Sequence, residues 1–421
     1  MKKKQPAKGD VIVLSGICKL IPEHLVSKLA RQYGIDQQAR TFSPWSHVVS
    51  LLYAQLTHAV GLNDVCDGLA HHANKLATIR GATPPAKNTL SHANKTRDSD
   101  MMEALFWKTL SHLQSTSPQG LGVRYQGLPR RFTKTISAVD SSTIALVANS
   151  LDWAKHRRRK AAAKMHLRLN LQTFLPACAI IEEASHHDDT RAQQLCANLQ
   201  EGEIVLFDKA YINYQHLFAL HQRGVHWVTR AKDNMAYTVR KKLLKKPQGD
   251  IQRDDLILLS VGKSREQYPT ELRRVEMFVE LDGKRVLMAF ITNNTQWAAS
   301  TVGALYKSRW GIEVFFKQIK QTLCISDFLG HNKNAIRWQL WAALLLYVLL
   351  RHQAGATGWP HSFARLFTML RGVIWDRICV TKLLEHYGTA RGRWRMRATP
   401  ETAYLPGLAP PCYGTASELI A

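Results

Sequence analysis

The sequence predicts a mixed α/β fold, on three observations. Helical periodicity dominates residues 1–114, a β-prone stretch opens near residue 132, and the run Ile204 to Phe207 is short and fully apolar. Such a run marks a strand buried in the middle of a sheet. The pair Asp282-Gly283 between two further β-prone runs is the strongest short hairpin signal.

The elements follow in order. Ser43-Pro44 reads as an N-cap with proline at the first helical position, and Trp45 through Leu56 keeps helical spacing. A second helix is expected over Asn63 to Ala77, ended by Gly81 to Lys87 with its Pro84-Pro85 pair. Asn88 opens a third helix and Met101 to Leu113 forms a fourth. These short helices suit either a plain bundle or a DNA-binding module. Residues 115–131 are rich in Ser, Pro and Gly and read as a linker.

Beyond it, Thr135 to Val139 is a strand running into Asp140, which is expected at the strand's end. Lys155 to Lys164 is densely basic and reads as a DNA contact or a solvated loop. Met165 to Leu171 and Leu175 to Ile181 are strands, and His186 to Asp189 is a polar turn before a helix over Arg191 to Leu199. The buried strand Ile204 to Phe207 runs directly into Asp208. A carboxylate held against so apolar a strand needs a partner, and a divalent cation is a natural one. A helix from Tyr214 to Arg223 stops at Gly224, and a strand from Val225 to Thr229 leads to Arg230. Arg240 to Lys246 reads as a cationic helix or loop, and Val275 to Glu280 and Arg285 to Ile291 as the hairpin strands. Trp297 reads as a packing aromatic. Trp338 to Leu350 is apolar, fits a buried helix and is too short to span a bilayer. Near the end, Arg391 to Arg397 interleaves cations with Trp394, a backbone grip or a solvated tail.

Bulk properties restrict the partner. The 421 residues carry 57 Lys and Arg against 32 Asp and Glu, a net charge of +25. That excess suits a polyanion, most simply nucleic acid. Seven dispersed cysteines form no Cys-x-x-Cys and read as free thiols in a reducing cytoplasm. No signal peptide or membrane partner is expected.

The stretch Tyr306 to Lys320 carries the chemistry. As one helix turning about 100° per residue, it places Tyr306, Arg309, Glu313 and Lys320 on one arc. Leu305, Ile312, Phe315, Phe316, Ile319 and Leu323 form the apolar arc beside it. A carboxylate among cations offers a hard-metal ligand flanked by phosphate clamps. A plain amphipathic helix with a surface Arg309–Glu313 pair would show the same spacing.

The pattern Tyr306, Arg309, Glu313, Lys320, with Trp310 and Ile312, resembles the signature of the insertion-sequence-four family of bacterial DDE transposases. Asp140 in Val-Asp-Ser-Ser-Thr and Asp208 in Asp-Lys-Ala-Tyr, with Trp227 to Lys232 following, match the family's other acidic contexts. The resemblance covers about residues 130 to 330. It implies a ribonuclease-H-like core in two parts, 132–232 and 301–352, around a β-rich insertion over 233–300. A helical N-terminal domain (1–114) precedes the linker (115–131), and a basic C-terminal region (353–421) follows. It further implies that Asp140, Asp208 and Glu313 hold two Mg²⁺ ions, with Mn²⁺ able to substitute. Tyr306, Arg309, Lys320 and, more weakly, Arg230 would hold DNA phosphates. The implied activity is cutting at terminal inverted repeats followed by 3′-hydroxyl strand transfer into target DNA, by a homodimer on double-stranded DNA in the bacterial cytoplasm, at the nucleoid. A ribonuclease-H-like nuclease without strand transfer and a transposase-derived repressor are the alternatives.

Overall fold

The computed structural model describes residues 8–35, 41–117, 128–145, 155–156, 160–183, 188–281, 283–323 and 328–386. The chain opens with α1 (Val13–Cys18), α2 (Leu25–Gln32), α3 (Pro44–Thr57), α4 (Leu62–His71), α5 (Ala73–Ala77), α6 (Lys87–Thr96) and α7 (Asp100–Thr116). Ser43 caps α3 as its spacing predicts: its side chain accepts from the Ser46 N–H, with Pro44 next in line. The helix expected over Asn63 to Ala77 is two, with His72 out of helical geometry between them. The linker reading falls mostly outside the described residues; α7 already covers its first two positions.

Ten strands among the described residues form one sheet. β1 (Ile136–Ala145), β2 (Lys155–His156), β3 (Lys160–Asn170) and β4 (Leu175–Glu183) come first, then α8 (Asp188–Leu195), β5 (Ile204–Phe207), α9 (Tyr214–Gln222) and β6 (His226–Arg230). β7 (Tyr237–Lys242), β8 (Ile251–Leu259), α10 (Gly262–Gln267), β9 (Leu272–Leu281) and β10 (Lys284–Thr292) follow. The chain continues with α11 (Ala299–Ser308), α12 (Gly311–Thr322), α13 (Lys333–Ala356), α14 (Phe363–Gly372) and α15 (Val380–His386). The strand order is β2-β3-β1-β5-β6-β10-β9-β8-β7, with β4 also on β3. β1, β5 and β6 are parallel neighbours, and their partners on either side are antiparallel.

Several expectations need correction. Asp140 does not end its strand: β1 runs on to Ala145 against β3. What ends at Val139 is the pairing with β5, whose last partner there is Phe207. The α8 helix begins at Asp188 and stops at Leu195; His186 and His187 lie outside the described residues. Arg240 to Lys242 belong to strand β7, paired with β8, not to a helix or loop. The strands of 233–300 continue the same sheet, β10 pairing with β6 through Phe290–Arg230, Ile291–Thr229 and Thr292–Val228. The basic tail around Trp394 and residues 157–159 of the basic run lie outside the described residues.

Side chains alternate across the sheet. Ile136, Ala138, Ile204, Leu206 and Val228 pack toward one core, and Val139, Val205, Phe207 and Trp227 toward a second. The first core holds α11, α12 and α13; the second holds α8 and α9. α13 is the pillar of the first, buried from Trp338 through Arg351, and no described helix is long and apolar enough to cross a membrane. Gly311 starts α12 at a close approach: a Cβ there would meet Leu171 Cδ2 at 3.1 Å and Phe174 Cζ at 3.2 Å. Trp297 packs edge-on against Phe132 and His226, the role expected of it.

His47 joins the N-terminal helices to this pillar. It is fully buried, Nε2 donates to Asn94 Oδ1 at 2.8 Å, and the ring lies 4.4 Å from that of Trp338. Burial first, then the nearby Arg97 charge, push its pKa down to about 3, with the Asn94 bond opposing. The unfolded chain therefore takes up a proton below about pH 6.5 that the folded chain refuses until near pH 3. Stability is full above that window and falls as pH drops through it. Urea melts at stepped pH should show His47→Gln losing about 1.4 kcal/mol per pH unit of this dependence; an unchanged slope would clear His47 of the effect.

Candidate active site

Strand register gathers the site. Val139 pairs with Phe207, and Phe207 with Thr229. The next residues, Asp140, Asp208 and Arg230, therefore stand level on three adjacent strands. By alternation they share the face that carries α11 and α12. α12 packs across β1 and brings Glu313 to the same place. The expectation of one helix over Tyr306 to Lys320 is corrected here. α11 ends at Ser308, a tight turn through Arg309 and Trp310 follows, and α12 begins at Gly311. The Arg309 N–H reaches back only three residues, to Tyr306 O at 3.0 Å. The apolar arc survives the break: Leu305, Ile312, Phe315, Phe316, Ile319 and Leu323 are all buried.

Arg309 is the centre of the cluster. Its side chain is 6% exposed. One terminal nitrogen bonds Glu313 Oε1 at 2.8 Å and the other reaches Asp140 Oδ2 at 3.5 Å. The guanidinium also sits over the rings of Tyr306 and Trp310, 5.4 and 5.8 Å from their centroids. Burial works against its charge, but Tyr306, Glu313 and Asp140 outweigh that and raise its pKa. The Tyr306 hydroxyl donates to Asp208 Oδ1 over a long 3.4 Å, with its ring against Phe290 at 4.8 Å. Burial and the Asp208 charge hold that phenol protonated.

Asp140 is raised to about 6, chiefly by burial, with Glu313 and Asp208 adding to the effect. The Ser141 N–H, 2.8 Å from Oδ1, and Arg309 oppose it. Lys320 Nζ donates to the Thr143 carbonyl at 2.7 Å, further along β1. Arg230 is farther out, with Asp233 at 3.9 Å. A cavity of about 360 Å³ opens in front of Asp140 and Glu313, lined also by Ser142, Phe316, Lys317 and Lys320. Ser142 and Lys317 are among the lining groups that the sequence did not single out, with Ser141 and Gln321. The signal for Ser142 and Lys317 was their spacing, two residues after Asp140 on the same strand face and one helical turn after Glu313.

Asp140 and Glu313 thus meet on the Arg309 guanidinium, and Asp208 stands beside them, reached by the Tyr306 hydroxyl. Among the described residues no three His, Cys, Asp or Glu side chains are grouped closely enough to hold a metal ion. The donor chemistry nevertheless fits one. All three offer only carboxylate oxygens, the ligands of hard divalent cations.

The family described as "Transposase DDE domain" matches residues 131–349, and a domain of unknown function, DUF4372, matches 11–79. A probable transposase for insertion sequence element IS5377 of Geobacillus stearothermophilus is 27% identical over 335 residues, covering 79% of this chain and 82% of that one. The putative transposase y4zB of Sinorhizobium fredii is 34% identical over 216 residues, 51% of this chain and 59% of that one. The transposase InsG for IS4 of Escherichia coli is 27% identical over 199 residues, 45% of this chain and 43% of that one. A piggyBac transposase synaptic complex with hairpin DNA aligns over 87% of this chain and 82% of that one, at 9% identity and a TM-score of 0.43. With the DDE domain matched over more than half its length, and an insertion-sequence-four transposase among its relatives, this chain belongs to the DDE transposases of insertion sequences.

Proposed function

We propose that this chain cuts an insertion sequence at its terminal inverted repeats and joins the freed 3′-hydroxyls to target DNA, with Asp140, Asp208 and Glu313 as the catalytic acids of a ribonuclease-H-like core. One observation carries the reading. Two aspartates stand level on adjacent parallel strands, and a glutamate from a late helix meets them on the same sheet face. Sequence separation alone would not bring these three together.

The acids would hold a pair of Mg²⁺ ions, or Mn²⁺ in their place. Bound there, the pair supplies a sink for the charge that builds on the attacking and leaving oxygens of an in-line displacement. The protein's own groups position the DNA. Lys317 and Lys320 line the cavity beside Asp140 and suit the backbone flanking the cut. Arg309, released from the acids, is a bidentate phosphate ligand held by two aromatic faces. Arg230 stands level with the aspartates and extends the same cationic rim. Tyr306 fixes Asp208 through its hydroxyl. No side chain serves as nucleophile; water attacks first and a DNA 3′-hydroxyl second. The net charge of +25 supplies general attraction to the polyanion. Two ends must be joined, so the working form is a dimer on DNA at the bacterial nucleoid, with the helices of 1–114 as a further DNA-binding candidate and strands β7 to β10 handling the element's end.

A strand-transfer assay tests the whole. Purified protein, Mg²⁺, a duplex bearing the element's end and a supercoiled target should give covalently joined products. Nicking without joining would favour a simple nuclease, and no nicking a repressor. Arg309→Ala should weaken end binding and make its salt dependence shallower by about one counterion. An unchanged slope in a filter-binding titration would remove Arg309 from the phosphate contacts.

A further inference from the structure

Arg309 lies between Asp140 and Glu313, where those acids would place a cation, with Asp208 nearby on the Tyr306 hydroxyl. It is buried at the centre of the cluster, bonded to Glu313 and within 3.5 Å of Asp140. Its Nε is buried with no hydrogen-bond partner among the described residues, and the two carboxylates and the rings of Tyr306 and Trp310 hold the rest of the side chain. The turn that carries it lies between α11 and α12, outside both helices.

Charge decides what this position implies. At the centre three carboxylates outnumber one guanidinium, with Lys317, Lys320 and Arg230 only at the rim. A pair of divalent ions on the same carboxylates would reverse that excess and repel the guanidinium from its present site. A DNA phosphate in the adjoining cavity restores the balance, and it also offers the guanidinium a bidentate partner as good as the one it gives up. We propose that Arg309 is a resident counter-cation that holds divalent metal off the acids until a DNA phosphate draws it away. Metal loading is thereby coupled to end binding. The two ligands share a coupling free energy, so each strengthens the other's binding.

This inference rests on the acids being metal ligands, so the test separates the two claims. Terbium(III) luminescence, sensitised by the neighbouring Tyr306 and Trp310, reports metal at the site without turnover. Calorimetric titration with Mn²⁺ gives the affinity. In DNA-free wild type the affinity should be weak, and a short end duplex with a non-hydrolysable linkage at the cut should tighten it at least about tenfold, the usual scale of such coupling. Arg309→Gln should bind metal tightly without DNA and gain little from it, and Arg309→Lys, which keeps the charge, should stay weak. Equal DNA-free affinities for wild type and Arg309→Gln would overturn the counter-cation role. If Arg309→Gln fails to fold, the wild type decides: affinity unmoved by the duplex overturns the coupling. Adding Asp140→Asn to either background should abolish the signal. If it does not, the metal-ligand reading itself is at fault, and not the role given to Arg309.

Discussion

Glu313→Gln is expected to bind element ends as the wild type does and to lose cleavage by roughly a thousandfold. Divalent ions in a displacement of this kind contribute several kcal/mol to the transition state, and each 1.36 kcal/mol is a factor of ten. Gln keeps the length and one acceptor of Glu but supplies no charge, so the site loses a ligand and not its shape. Glu313 is 35% exposed, at the cavity's edge. The fold should tolerate the change, and a thermal melt would verify that before any rate is read. Arg309 exchanges one of its two carboxylate partners for a neutral amide oxygen in this variant and keeps the Asp140 charge. The measurement is Mg²⁺-dependent nicking of an end duplex, run beside a gel-shift titration. Cleavage at the wild-type rate would remove Glu313 from the catalytic set.

Trp338→Ala should cost about 3–5 kcal/mol of stability, the largest structural effect expected from one side chain. Trp338 is fully buried on α13, its ring meets that of His47, and its Nε1 donates to the Arg97 carbonyl at 2.8 Å. Truncation opens a cavity between α13 and the N-terminal helices and takes the indole bond from that carbonyl. Asn334 also donates to it, so part of the polar cost is spared. Trp338→Phe separates the two contributions, since it refills most of the volume without the donor. Denaturant melts of the three proteins would show the ordering. A loss below about 1 kcal/mol for the alanine variant would mean that the N-terminal helices and α13 do not unfold as one unit.

Much of the site was legible in the sequence because its chemistry is local. Asp208 follows four buried apolar residues, and the Tyr306, Arg309, Glu313, Lys320 spacing stands out in a single stretch. Asp140 was legible as a strand residue but not in its setting, since the length of β1 is decided by β3, a partner whose match to it lies in pairing and not in composition. The break at Arg309 was hidden for the opposite reason. Apart from Gly311 the residues from Tyr306 to Lys320 suit a helix, and only that glycine, at its close approach to Leu171 and Phe174, hints that two segments meet there. β7 was missed because its side chains are mostly exposed and its second half is all cationic, which gives no alternation to read. The buried state of Arg309 could not be seen at all. Guanidinium groups are usually placed in solvent, and only the convergence of two distant strands with the helix makes its position inside the cluster intelligible.

The register of β1, β5 and β6 has a consequence for how such chains can diverge. Inserting one residue within β5 ahead of Asp208 would turn its carboxylate to the α8–α9 side, and inserting two would return it to the correct side but slide it roughly 6.6 Å along the strand. Relatives can therefore lengthen or shorten the connections between the acids freely, yet the few residues leading up to each aspartate must keep their count. Gaps in an alignment should cluster in the loops and be missing from those short lead-ins.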